Sequence, residues 1–256
     1  MARTPRIELD SAAAEAIDGR QIRAMAFQAV RLEYLRGTMS RLGLSPSGSR
    51  ALVVGAGRGV LPRGLARLGF EVLAVDPSAR ATEIAAELAH RENLNISHRT
   101  APAEDLGVPS GEFDLAYYAD TLEITEDLDR VLEQAQSALK PGGPLVYDTV
   151  NRTALARLVY LGAFQGFPFT RIMPPGRYAA ARLRTPDELS AALRRHGLHN
   201  EDITDFKPRN PARLVKAVLA RRRGTVADED IPAIVEMTLM PDASPIVTYL
   251  GYARKI

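Results

Sequence analysis

Between Ala51 and Asp76 the chain reads ALVVGAGRGVLPRGLARLGFEVLAVD. Ala51 to Val54 is a β-prone apolar run of the kind buried on both faces of a parallel sheet. Gly55, Gly57 and Gly59 follow, and their freedom to take positive φ suits a tight strand-to-helix turn and close backbone approach to a ligand. The pattern predicts a helix over Leu61 to Leu68, stopped by a left-handed Gly69, and a second strand over Glu71 to Val75. Asp76 closes that strand 21 residues after Gly55, the separation at which an acid meets the ribose hydroxyls of a cofactor lying over the glycine turn. Strand, glycine turn, helix, strand and acid make half of a doubly wound sheet and a seat for an adenosine-bearing cofactor.

The glycine spacing separates two cofactor classes. A dinucleotide fingerprint is G-x-G-x-x-G, with a pyrophosphate at the helix N-terminus. Here the third glycine comes one residue early, with Val60 where that pattern wants glycine. Gly55-Ala56-Gly57-Arg58-Gly59 resembles motif I of class I S-adenosylmethionine-dependent methyltransferases. Phe113-Asp114-Leu115-Ala116-Tyr117-Tyr118 looks like that family's fourth strand, and Leu139-Lys140-Pro141-Gly142-Gly143-Pro144 like its turn before the fifth. The resemblance covers roughly residues 49–151. It implies that Gly55, Ala56, Gly57 and Gly59 lie under the cofactor, with Asp76 and Pro77 at its ribose. It also puts Ala103 and Glu104 against the adenine and Ala119 at the end of the fourth strand.

Within that superfamily the chain is most similar to the O-methyltransferases of ubiquinone biosynthesis. Ala29 to Leu35 resembles their N-P-L-R-L-x-Y-I segment, which implies that Arg31 contacts the cofactor carboxylate. Asp148 to Thr153 resembles their S-T-x-N-R-T, Thr185 to Leu189 their closing helix, and Val247 to Ala253 their last strand. There are also departures. The family's M-E-M-L-E-H-V, whose acids and histidine are assigned to a divalent metal, reads here Ala119-Asp120-Thr121-Leu122-Glu123-Ile124-Thr125. Asp120 and Glu123 keep the i, i+3 spacing of one helical face and are the candidate metal ligands. Without the histidine they hold Mg²⁺ only if water or substrate oxygens complete the octahedron. Val53 replaces the acid usual two residues before the first glycine.

The remaining chain fits one α/β unit. A helical cap over residues 1–45, amphipathic from Gln21 to Leu42, precedes a methyltransferase domain over 46–256. Strands near 50–54, 71–75, 95–99, 113–118, 144–149, 200–206 and 246–254 give a mostly parallel seven-stranded sheet. By resemblance, the last two form an antiparallel edge pair. Residues 154–181 break the alternation with apolar side chains punctuated by glycine and proline. In the resembling family such an insertion meets membrane or a polyprenyl tail, so it reads as a substrate cover; a core-packing helix pair is the equal alternative. It is too short to span a bilayer.

Composition narrows the function classes. There are no cysteines, hence no disulfide, thiolate zinc site or cysteine nucleophile. Met1 to Asp18 has no apolar core of a signal peptide, which predicts a cytoplasmic protein. Net charge is +2, and Arg221-Arg222-Arg223 has no interleaved aromatics, so it reads as a solvated helix end rather than a nucleic-acid site. None of the four histidines has metal spacing.

The expected activity is methyl transfer from S-adenosylmethionine to a hydroxyl of a small aromatic or prenylated metabolite. Asp120 is the first candidate base, Glu123 the second, and Asn151 an acceptor-orienting residue. The missing histidine points to secondary metabolism rather than the ubiquinone pathway. N- or C-methylation is the alternative, with a catalytically inactive cofactor-binding protein or an NAD-dependent oxidoreductase behind it. No nucleic-acid partner and at most peripheral membrane contact are expected. The oligomeric state is not legible, and a homodimer is compatible.

Overall fold

The computed structural model describes residues 6–11, 13 and 15–256; the first five residues of the expected cap lie outside them. In chain order the elements are β1 (Arg6–Ile7), β2 (Ala16–Ile17), α1 (Gly19–Leu42), β3 (Arg50–Val54), α2 (Val60–Leu68), β4 (Glu71–Asp76), α3 (Ala79–Arg91), β5 (Ile96–Thr100), β6 (Leu115–Tyr118), α4 (Leu128–Ala138), β7 (Pro144–Val150), α5 (Ala154–Arg157), α6 (Pro186–Arg195), β8 (Leu198–Pro208), α7 (Pro211–Arg222), α8 (Ile231–Ile234), β9 (Met237–Met240) and β10 (Thr248–Lys255).

The main sheet runs β5-β4-β3-β6-β7-β10-β8-β9. Strands β3 to β7 pair in parallel, and β10 lies antiparallel between β7 and β8. This is the expected α/β sheet, with one correction. It has eight strands, because β9 pairs antiparallel with β8 at the edge, Phe206 opposite Leu239. Nor is the N-terminal region purely helical, since β1 and β2 form a small parallel pair before α1.

The strands are buried on both faces. Val53, Tyr117 and Val146 pack under α1 and α2 with Val30, Leu61 and Leu65. Their neighbours Leu52, Val54, Ala116, Tyr118 and Leu145 face α4 and α6 through Val131, Leu132 and Leu189. Alternation of side chains across the pleat therefore fills two cores at once. Local signals end the helices where they should. Asp18 caps α1 by accepting from the Arg20 and Gln21 N–H groups, Gly69 ends α2 at φ 108°, and Thr185 and Glu188 close a capping box on α6.

A third apolar cluster sits apart from these two. Ile17 and Ile22 from the N-terminal end meet Tyr160, Ile172, Met173 and Tyr178 from the insertion. The insertion itself is α5, a π-helical turn over Leu158–Ala163 and a long irregular return. Its inner side is thus core packing, while Leu155, Leu158, Phe167 and Phe169 point outward, Phe169 at 85% exposure. Of the arginine run at the end of α7, Arg223 is exposed and Arg222 half-buried, but Arg221 is not solvated. Arg221 is buried, pairs with Asp228 at 2.7 Å and donates to the Ala16 carbonyl at 2.7 Å, tying α7 to β2.

Candidate active site

The glycine turn leaves β3 at the carboxyl ends of the parallel strands, where doubly wound sheets bind ligands. Gly55 has φ 77°, and a Cβ there would lie 2.2 Å from the Ala119 carbonyl oxygen and 2.4 Å from Thr121 Oγ1. Glycine at 55 is therefore demanded by the approach of β3 to the end of β6. Gly57, at φ 52°, differs: its Cβ would meet only Arg20 Nη2, at 3.7 Å, so the bare backbone faces the cavity.

Asp76 organises the turn. Its buried carboxylate accepts from the Gly57 N–H at 2.8 Å and the Ser78 N–H at 3.0 Å, and pairs with Arg20 Nη2 at 2.5 Å. Arg20 also grips both Asp10 oxygens, at 2.8 and 2.9 Å. Asp10, Arg20, Arg31, Gly57, Ala119 and Asp120 line the cavity over the turn, in which about 20 Å³ remains, the room of one water. Pro77 is exposed beyond the strand, Ala103 is buried, and Glu104 accepts from Thr125 Oγ1 at 2.5 Å.

On the other side of the cavity is a buried charge network that the sequence only half disclosed. Helix α1 presents Arg20, Arg23, Phe27 and Arg31 along one face, with Arg23 and Arg31 each stacked on the Phe27 ring, at 5.3 and 5.4 Å. Arg23 Nη2 meets Asp120 Oδ1 at 2.6 Å and Glu123 Oε1 at 3.2 Å. Arg31 holds Asp148 through two hydrogen bonds, Nε to Oδ2 at 3.0 Å and Nη2 to Oδ1 at 2.7 Å, and reaches Asp120 Oδ2 at 2.9 Å. Asp120 takes positive φ, 49°, an uncommon conformation for a residue with a Cβ, and its Oδ1 receives no aligned hydrogen bond. Arg20, Arg23 and Asp148 were not singled out from sequence; the 3-4-4 spacing of Arg20, Arg23, Phe27 and Arg31 was the available signal.

These neighbours separate the acids. Burial pushes Asp120 up, but Arg23 and Arg31 outweigh it and hold it well below the usual carboxylate range. Burial raises Glu123, with Arg23 opposing and the Asp120 charge adding. Asp148 is pushed up to about 7 by burial, against Arg31 and with Asp120.

Two expectations are corrected here. Asn151 is engaged structurally, its Nδ2 donating to the Pro245 carbonyl at 2.7 Å and its Oδ1 accepting from the Arg152 N–H at 2.7 Å, and it does not line the cavity where an acceptor would be oriented. The donor set does not fit Mg²⁺. Arginine cations already neutralise Asp120 and Glu123, Ile124 packs against the third apolar cluster where the resembling family has its histidine, and among the described residues no three His, Cys, Asp or Glu cluster to hold an ion.

The family described as Methyltransferase domain matches residues 27–203. The ubiquinone biosynthesis O-methyltransferase of Xanthomonas axonopodis pv. citri is 36% identical over 217 residues, 81% of this chain and 87% of that one. The enzyme of the same name from a Chelativorans species is 34% identical over 186 residues, 70% and 72% of the two chains. The chain is an S-adenosylmethionine-dependent methyltransferase. Solved structures agree on the fold of this methyltransferase. The S-adenosylmethionine-dependent methyltransferase of Mesorhizobium loti superposes with TM-score 0.60 at 21% identity, covering 90% of this chain and 99% of that one. The Haemonchus contortus phosphoethanolamine N-methyltransferase 2, solved with S-adenosylhomocysteine, gives 0.62 at 16%, covering 93% and 57%. The residues of the methyltransferase fit its cofactor: a cradle at Gly57 that a Cβ would fill, a buried acid at the end of β4, and Arg31 on the cavity wall.

Proposed function

We propose that this methyltransferase acts on a hydroxyl of a small aromatic metabolite, as the printed names of its relatives suggest. The observation that carries this reading is the buried carboxylate pair at the end of β6. An oxygen acceptor has a proton to lose, and Glu123, three residues from the cavity-lining Asp120, has the raised pKa of a usable base. Asp120, held ionised by two arginines, is the weaker base and instead accepts a hydrogen bond from the hydroxyl. Arg23, touching both acids, stabilises the developing phenolate.

S-adenosylmethionine brings a methyl group already on a sulfonium leaving group, so the protein's task is alignment and proton removal. Gly55, Ala56, Gly57 and Gly59 hold the cofactor, Asp76 and Pro77 its ribose, Ala103 and Glu104 its adenine, Ala119 its reactive end and Arg31 its carboxylate. The outward Leu155, Leu158, Phe167 and Phe169, beside exposed Arg157, support a cytoplasmic enzyme whose insertion covers the acceptor and touches a lipid surface. Among the described residues no helix is long and apolar enough to cross a membrane.

The test is turnover with catechol, its product identified by mass spectrometry. O-methylated product is expected, and Glu123→Gln should lower kcat by roughly 10²- to 10⁴-fold while S-adenosylhomocysteine affinity stays within about twofold. Unchanged kcat in that variant removes the base from Glu123, and N- or C-methylated products alone from suitable acceptors remove the hydroxyl reading.

A further inference from the structure

The arginine that joins the two acids at the end of β6 is itself held from the insertion by one neutral group. Arg23 Nη2 meets Asp120 at 2.6 Å and Glu123 at 3.2 Å, its Nε has no hydrogen-bond partner, and its Nη1 donates to the Tyr178 hydroxyl at 2.6 Å. Glu123 is fixed through its other oxygen by Thr149 Oγ1, at 3.2 Å. Asp120 lines the cavity, so two side-chain contacts, Tyr178 to Arg23 and Arg23 to Asp120, connect the insertion to the cavity wall.

Packing accounts for the Tyr178 ring but not for its hydroxyl. The buried ring meets Tyr160 edge-on at 5.0 Å and belongs to the third apolar cluster, where phenylalanine would fill the same space. A buried hydroxyl costs free energy unless it is hydrogen-bonded, and this one accepts from a guanidinium. Its place is set independently of that bond. Gln165 clamps Tyr178 at both ends, accepting from its N–H at 2.8 Å and donating to its carbonyl at 2.9 Å, and Arg182 Nη2 donates to the Gly176 carbonyl at 3.2 Å. The rings of Phe27, Tyr160 and Tyr178 lie 5.3, 4.9 and 5.8 Å from the Arg23 guanidinium carbon and favour its charge. Stacking sets no direction within the guanidinium plane; hydrogen bonds at both arms of the fork do.

We propose that Tyr178 is a positioning residue for methyl transfer, locking Arg23 so that its Nη2 stays between Asp120 and Glu123 while the acceptor hydroxyl loses its proton. A cation preorganised there stabilises the developing phenolate without having to move at the moment of reaction. The proposal rests on the acceptor chemistry assigned above and deepens it.

Steady-state methylation of catechol by Tyr178→Phe, Arg23→Lys and the double variant tests it, alongside calorimetric affinities for catechol and S-adenosylhomocysteine. Tyr178→Phe keeps the ring and should lower kcat roughly tenfold, short of the ~10²- to 10³-fold lost with a direct oxyanion donor, while both affinities stay within about twofold of the parent's. Arg23→Lys keeps the charge without the fork, so adding Tyr178→Phe to it should cost less than about twofold more. Gln165→Leu, which frees the Tyr178 backbone without touching Arg23, should reproduce part of the loss in kcat. Unchanged kcat in Tyr178→Phe, an equal loss in the Arg23→Lys background, or a loss confined to the affinities overturns the role. If the parent forms O-methylated catechol and Glu123→Gln is impaired but Tyr178→Phe is not, the positioning role alone falls. A parent that binds S-adenosylhomocysteine but forms no O-methylated catechol refutes hydroxyl transfer and takes the role of Tyr178 with it.

Discussion

Asp148 stands where the resembling enzymes have a serine, and it changes what the neighbouring arginine can do. With both oxygens on Arg31, it fixes the guanidinium plane while leaving the residue on the cavity wall. Burial is the main reason that Asp148 is pushed up to about 7 from 3.8, and three buried acids around two arginines add to it by carrying one negative charge more than the cations match. Between those values the folded chain holds a proton that the unfolded chain has lost. The stabilisation from this group is therefore complete below about pH 4 and is lost as pH rises through about 7. In Asp148→Asn that dependence should vanish, so the Tm of the parent falls relative to the variant between pH 4.5 and 8. Parallel Tm curves across that range would show that Asp148 titrates normally. The same residue explains why Asp120 reads differently in sequence and in space. Its i, i+3 relation to Glu123 was visible as a metal-like pair, but Arg23 and Arg31, 97 and 89 positions earlier in the chain, convert it into an ion-paired acid.

Helix α1 does at element scale what a loop often does in such folds, since its first turn closes the site. Arg20 sits on Asp76, the acid expected to take the cofactor ribose, and Asp10 holds Arg20 from the other side. A cofactor that needs the Asp76 oxygens has to displace that guanidinium. Removing it should therefore lower the Tm of the free protein and enlarge the Tm rise on saturation with S-adenosylhomocysteine. Scanning calorimetry of Arg20→Ala reads both, and a smaller ligand-induced rise than the parent's would make Arg20 a cofactor contact instead of a competitor. How much of this was legible depended on range. The seven expected strands, the Gly69 stop and the glycine turn are written in local pattern and were readable. Strand β9 was not, because Met237–Met240 is four residues with no alternation of burial, flanked by Pro232 and Pro241, and only pairing with β8 makes it a strand. The glycine turn and the acid that ends β4 could be read from motif spacing, whereas the charge network could not. It joins α1, β6 and β7 across more than a hundred residues, and Asn151 loses its expected role to a carbonyl 94 positions away. Arg221 likewise looked solvated until Asp228 and β2 folded onto it.

At the scale of the whole molecule, the apolar clusters divide the structure into a rigid and a responsive part. The two large cores fill the faces of the eight-stranded sheet and tie its helices to it. The third takes Ile17 from β2 and Ile22 from the first turn of α1, and Tyr160, Ile172, Met173 and Tyr178 from the insertion, with few sheet residues between them. Gly19 reinforces the join, because a Cβ there would lie 2.4 Å from the Ile172 carbonyl oxygen and 2.8 Å from the Met173 sulfur. Packed side chains at such contact do not slide independently, so the N-terminal segment beside the cavity and the insertion should open together. Cofactor binding at Asp76 would then be felt at Tyr178, some hundred residues further along the chain, before any acceptor arrives. Amide hydrogen exchange tests this directly. On saturation with S-adenosylhomocysteine, protection should rise together over residues 15–24 and 158–178, while β3, β6 and β7 stay protected in both states. Replacing Met173 by alanine cuts into the shared cluster, and it should uncouple the two segments so that only the first responds to the cofactor. Protection confined to residues 15–24 in the parent would mean that the N-terminal segment and the insertion move separately, and that the third cluster is packing without coupling.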